Sequence, residues 1–187
     1  MLRTLLALIV CLGLTAGAFA QPTITGGKWD LEPNQAGQKI TINVSGGTDV
    51  KGYDLYFVLT GSGAMPKFTS VDMFTGTVFS GHQAGYYSSS FVQPQLIFAN
   101  GETTPAGTGI TTNGQLATII IDTTGILEGD YSLLLSYDNG QGNFIPSRLG
   151  AMDTNLVNGS IHVPEPASMA MLLAGSVALL RRRRTTK

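Results

Sequence analysis

The sequence predicts an all-β body, and three observations carry that prediction. Apolar residues recur at every second position in one run after another, the period of a half-buried strand. Gly, Thr, Ser and Asn separate these runs, with 21 of the 24 glycines inside residues 21–163. No stretch before Ala167 shows a convincing 3.6-residue apolar period. Eight to ten short strands with no helix favour a two-sheet antiparallel β-sandwich. The expected organisation is a signal peptide at 1–20, a sandwich domain at 21–163 and a tail at 164–187. The signal and the tail are each expected to be a short apolar helix.

The first twenty residues read as a secretory signal. Arg3 gives a positive start, residues 5–15 are almost wholly apolar, and Ala18-Phe19-Ala20 places small residues where signal peptidase requires them. Gln21 then begins the mature chain. The alternative is an N-terminal anchor that is kept, and the short apolar core and the site at Ala18 and Ala20 favour cleavage. Cys11, the only cysteine, lies in this segment. It lacks the small residue expected just before a lipidated cysteine. The mature domain is left with no thiol nucleophile, disulfide or thiolate metal site.

The body follows as strands. Ile40, Ile42 and Val44 alternate with polar residues. Tyr53, Leu55, Phe57 and Leu59 share one face of the next run, Ala117, Ile119 and Ile121 another, and Tyr131, Leu133, Leu135 and Tyr137 a third. Ile161 and Val163 close the series. Asn100-Gly101, Asn113-Gly114, Asn139-Gly140 and Asn158-Gly159 are turn signals, because Asn and Gly tolerate positive φ. Gly46-Gly47 is expected to break the first hairpin. Ile120 and Leu134 point opposite to their neighbours, so their strands are covered on both faces or carry an apolar surface patch.

Charge narrows the functions. Five basic against eleven acidic residues leave residues 21–163 with a net charge of −6. An acidic body argues against nucleic acid, which needs clustered cations. Catalytic constellations are not evident, so the expectation is a protein that is not an enzyme. His82 and His162 stand far apart, with no Cys, Asp or Glu at metal-ligand spacing. Ser62 in Gly61-Ser62-Gly63 lacks the spacing of a nucleophile elbow and reads as a turn. The acids name no glycosidase pair. Residues 138–143 offer oxygen ligands for calcium but lack the length and closing Glu of an EF-hand, so they read first as a hairpin loop. Gly107-Thr108-Gly109 lacks the further residues of a phosphate cradle. No cofactor is expected. Tyr86, Tyr87 and Phe91 are expected to lie in a Gly/Ser-rich loop. They either fold back over a sheet edge or stack on a sugar, which makes them candidate contacts to exopolysaccharide.

The tail is the most specific signal. Pro164-Glu165-Pro166 leads into residues 167–180, which carry no charge, and Arg181, Arg182, Arg183 and Arg184 follow at once. Four arginines favour the cytoplasmic side of a membrane. Fourteen apolar residues make a helix of about 21 Å, short of a bilayer core of roughly 30 Å. Such a marginal span suits temporary retention in the inner membrane. This order of motif, apolar helix and basic cluster resembles the PEP-CTERM sorting domain over residues 163–184. The resemblance implies that an exosortase cuts near Pro164-Glu165-Pro166 and that the protein passes to the cell surface or the extracellular matrix. A plain anchor that stays is the alternative.

Two stretches of the body resemble cohesin-like sandwich domains. One is the opening run from Leu31-Glu32-Pro33 through Gly37 to Val44, continued by residues 50–59. The other is residues 116–135, with Gly129 between strands. This resemblance implies a cohesin-like or jelly-roll sandwich. The leading expectation is a non-enzymatic structural or adhesive module at the cell surface. A carbohydrate-binding module and a cohesin-like protein-binding module are the alternatives.

Overall fold

The computed structural model describes residues 21–82, 89–103, 108–136, 148–149 and 154–166. Among these residues there are twelve strands and no helix. They are β1 (Thr23–Thr25), β2 (Lys28–Asp30), β3 (Gln38–Ser45), β4 (Gly52–Thr60), β5 (Lys67–Asp72), β6 (Ser89–Gln93), β7 (Leu96–Glu102), β8 (Gly114–Asp122), β9 (Gly129–Ser136), β10 (Arg148–Leu149), β11 (Asn155–Val157) and β12 (Gly159–Val163). Sheet A runs β11-β1-β3-β8-β5. Sheet B runs β2-β12-β9-β4-β7-β6, with β10 also paired to β4.

The alternating runs became strands because each hides one face. Ile40, Ile42 and Val44 of β3 and Ala117, Ile119 and Ile121 of β8 are buried. So are Tyr53, Leu55, Phe57 and Leu59 of β4, Leu133 of β9 and Ile161 of β12. These residues belong to one apolar core. Each large side chain removed from water there stabilises the fold by roughly 1.5–3 kcal/mol. Tyr137 lies outside the described residues.

The sandwich reading holds, with differences in detail. The strand count exceeds eight to ten because β1, β2, β10 and β11 are only two or three residues long. The sheets are mixed rather than wholly antiparallel: β1 pairs parallel with β11, β2 with β12 and β10 with β4. Both ends of the body therefore run side by side, first through sheet A and then through sheet B. Gly46-Gly47 has φ of 70° and 86°, as a glycine turn requires. It ends β3 but makes no hairpin, because β4 belongs to the other sheet. Asn100-Gly101 is not a turn. Both residues lie inside β7, where Asn100 pairs with Asp54 and Gly101 with Tyr53. Asn113-Gly114 leads into β8, Asn158-Gly159 joins β11 to β12, and Asn139-Gly140 lies outside the described residues.

Candidate functional site

Pleating gives each sheet an outward face, and the two outward faces differ in chemistry. Sheet A presents Lys39, Thr41 and Asn43 from β3, Gln115 and Thr118 from β8, and Lys67 and Ser70 from β5. The amide of Gln115 donates to Thr118 Oγ1 at 2.7 Å. Apolar exceptions are Ile120, half-buried across from Lys39 and Ser70, and Val157 at the β11 edge, which is exposed.

Sheet B presents apolar and aromatic side chains. Once Leu55, Phe57 and Leu59 turn inward, Tyr56 and Val58 turn outward. Leu96 and Phe98 do the same on β7, and Leu134 on β9. All five are half-buried, and none belongs to the core. Register aligns them into rows. Val58 pairs with Leu134 on one side and Leu96 on the other. Tyr56 pairs with Phe98, their ring centroids 4.7 Å apart and their planes at 31°. Phe91 of β6 pairs in turn with Phe98, so three aromatic positions follow one another across β4, β7 and β6. Polar residues border the rows. The Asn100 amide donates to Asp54 Oδ1 at 2.7 Å, Ser132 and Ser136 flank Leu134, and Gln93 pairs with Leu96. The five apolar side chains are thus adjacent, half-buried and bordered by polar groups.

The other sequence candidates are scattered. His162 is exposed on β12, and its Nδ1 lies 2.8 Å from Asp130 Oδ1. The His82 N–H donates to the Phe79 carbonyl at 2.9 Å, in the turns that follow β5. Ser62 is exposed in the loop after β4. That loop lines an open groove of about 450 Å³ with residues 125–131. The Tyr131 hydroxyl fixes one wall by donating to the Ala64 carbonyl at 3.0 Å. Burial, with Asp130 adding to it, holds the Tyr131 phenol above its usual range. Among the described residues, no three His, Cys, Asp or Glu side chains gather as metal ligands. Of the aromatic candidates, only the backbone position of Phe91 is described. Tyr86, Tyr87, residues 138–143, Ala18, Ala20 and the arginines from Arg181 to Arg184 lie outside the described residues.

The tail leaves from sheet B. Val163 is buried and paired with Gly129; Pro164 and Pro166 are half-buried and Glu165 is exposed. Among the described residues no helix is long and apolar enough to cross a membrane, and residues 167–180 are not among them.

Residues 162–184 match the PEP-CTERM protein-sorting motif. The motif indicates export and membrane-associated sorting toward the cell surface. A comparison with curated proteins gives no match. Solved structures similar to the body are cohesins. The non-cellulosomal cohesin of Archaeoglobus fulgidus is 14% identical, with a TM-score of 0.55 over 81% of this chain and 97% of that one. The type III cohesin of a cell-surface anchoring scaffoldin of Ruminococcus flavefaciens is 13% identical, with a TM-score of 0.56 over 81% and 93%. A type I cohesin of Clostridium thermocellum, solved in a cohesin–dockerin complex, is 16% identical, with a TM-score of 0.52 over 77% and 99%. At such identity the likeness is one of fold. The chain thus joins a cohesin-like body to a PEP-CTERM sorting motif.

Proposed function

We propose that this protein is a non-enzymatic binding module that its tail delivers to the cell surface, where it takes a protein partner on the outward face of sheet B. On this reading signal peptidase removes residues 1–20, and an exosortase cuts the tail near Pro164-Glu165-Pro166. Before that cut, residues 167–180 hold the chain in the inner membrane and the arginines set its orientation.

One observation carries the binding reading: Tyr56, Val58, Leu96, Phe98 and Leu134 occupy a sheet face without serving the core. Half-open aromatic and branched side chains within a polar rim are the composition of a protein interface. The fold agrees, because similar folds occur in cohesin–dockerin complexes. A second reading has its own support. Backbone register aligns position 91 with Phe98 and Tyr56, three aromatic positions in series, and aromatic faces stack on sugar rings such as those of an exopolysaccharide.

Retention on surface material from producing cells tests both. Purified full-length protein is bound to that material with and without prior protease treatment. The protein reading expects protease to abolish retention and Val58→Asp to lower it at least tenfold, while Lys39→Asp on sheet A leaves it unchanged. Retention that survives protease and falls with Phe91→Ala favours the sugar. Retention unaffected by Val58→Asp contradicts a binding role for this face.

A further inference from the structure

We infer that Asn113 is a chemical modification site. In the folded protein its side-chain amide is hydrolysed through its own backbone to aspartate and isoaspartate, while Asn100 and Asn158, each also followed by glycine, are protected. The inference goes beyond the binding reading and does not depend on it.

An asparagine before glycine is open to attack by the next backbone nitrogen, because glycine has no side chain to crowd the ring that forms. The Gly114 nitrogen loses its proton and bonds to Asn113 Cγ, the Cγ–Nδ2 bond breaks, and ammonia leaves with that proton. Water then opens the five-membered imide. Opening at the side-chain carbonyl gives aspartate; opening at the main-chain carbonyl gives isoaspartate, whose chain runs through the side chain. The sum is one water consumed and one ammonia released. Ring closure requires the side chain to swing over its own backbone and the Asn–Gly peptide to turn. A fold that holds either one blocks the reaction.

Among the described residues, the fold holds two of the three Asn-Gly pairs. Asn100 sits inside β7 between Asp54 of β4 and Ser89 of β6, and its amide donates to Asp54 Oδ1 at 2.7 Å. Gly101 is buried against the Tyr53 ring, which a Cβ there would meet at 3.2 Å. Asn158 Oδ1 accepts the Leu135 N–H at 2.9 Å. Gly159 lies backbone to backbone with Gly26 and Gly27, which leaves its peptide little room to turn.

Asn113 has neither restraint. It lies outside the strands, just before β8, and both it and Gly114 are exposed. Its side chain makes no hydrogen bond among the described residues. β5 pairs with β8 only over residues 118–122, so Gly114 has a strand on one side only. The glycine belongs to the fold, since its φ of 147° is one that residues with a side chain rarely adopt. Exposed, lightly held backbone opens most readily. The product adds a negative charge to a body that is already acidic. Isoaspartate also adds a methylene to the backbone at the head of β8.

The test ages purified full-length protein at pH 8, folded or in urea, and follows each Asn-Gly peptide by mass spectrometry. In the folded protein residue 113 is expected to convert at least about tenfold faster than residues 100 and 158. Urea is expected to cut that ratio at least threefold, by freeing all three sites. A folded ratio below tenfold overturns the inference. So does a ratio that urea cuts by less than threefold, since local sequence and not the fold would then set the rates.

Discussion

The hydroxyl of Tyr53 ends inside the core with no hydrogen-bond partner among the described residues, on a side chain that is 1% exposed. Its ring packs against Phe79 with centroids 4.9 Å apart. An unsatisfied buried hydroxyl costs about 1–3 kcal/mol. Tyr53→Phe is therefore expected to raise stability by up to that amount, read as a higher urea midpoint at unchanged slope. Burial pushes the Tyr53 phenol far above its ordinary range, with Asp72 and Asp54 adding to the shift. The sign follows directly. A raised folded pKa gives stability that is present below the unfolded value near 10 and is lost as pH rises, because only the unfolded chain ionises there. Thermal melts of the wild type should fall above about pH 10, and Tyr53→Phe should fall less. The acid side works in the opposite sense. The Thr75 N–H, with that of Phe74, holds the Asp72 carboxyl below its usual value, and Thr124 does the same for Asp122. Stability from these two is present above the ordinary carboxylate range and is lost as pH falls through their lowered folded values.

Individual strands show which signals a sequence carries. β3, β4, β8 and β9 were legible because each hides one face, and hiding one face imposes period two. β1 and β2 were not, since three residues are too few to show a period and their parallel partners lie some 130 positions away. Asn100-Gly101 misled because a turn signal is local, while the pairing of β7 with β4 is not. The Tyr56 and Val58 face had a signal that was not singled out: apolar residues between those already assigned inward. Leu134 showed it on β9 and proved part of the patch. Phe91 was noted for its loop, but its sheet neighbours could not be read locally. Loops are tied down largely by buried threonines. Thr123 Oγ1 accepts the Gln35 N–H at 3.0 Å and lies 2.7 Å from the Glu32 carbonyl. Backbone packs closely on backbone where the two ends of the body cross between sheets. A Cβ on Gly159 would meet the Gly27 carbonyl at 2.6 Å, and one on Gly26 the Gly159 nitrogen at 2.7 Å. Backbone cannot yield as a flexible side chain does. Gly159→Ala is expected to cost about 1–3 kcal/mol or more, measured by chemical denaturation.

For the whole molecule, the sorting motif and the proposed binding face lie in separate parts of the chain. Deleting residues 164–187 should leave the core intact, because Val163 is the last residue locked in the sheet, while misdirecting the protein. Cell fractionation after that deletion should show loss of the normal surface pool and an unchanged melting temperature. The sorting motif was legible because it is linear, its parts standing in order along the chain. The proposed binding face was only partly legible because it joins β4, β7 and β9, which are distant in sequence and adjacent only in sheet B.

Site-specific photo-crosslinking in producing cells tests that face most directly. A photoreactive residue replaces Val58 in one full-length variant and Thr41, on the opposite sheet, in another. The account predicts a discrete adduct of a second protein from position 58 and none from position 41. Equal labelling from both positions, or no protein adduct from position 58 in protein that has reached the surface, would contradict it.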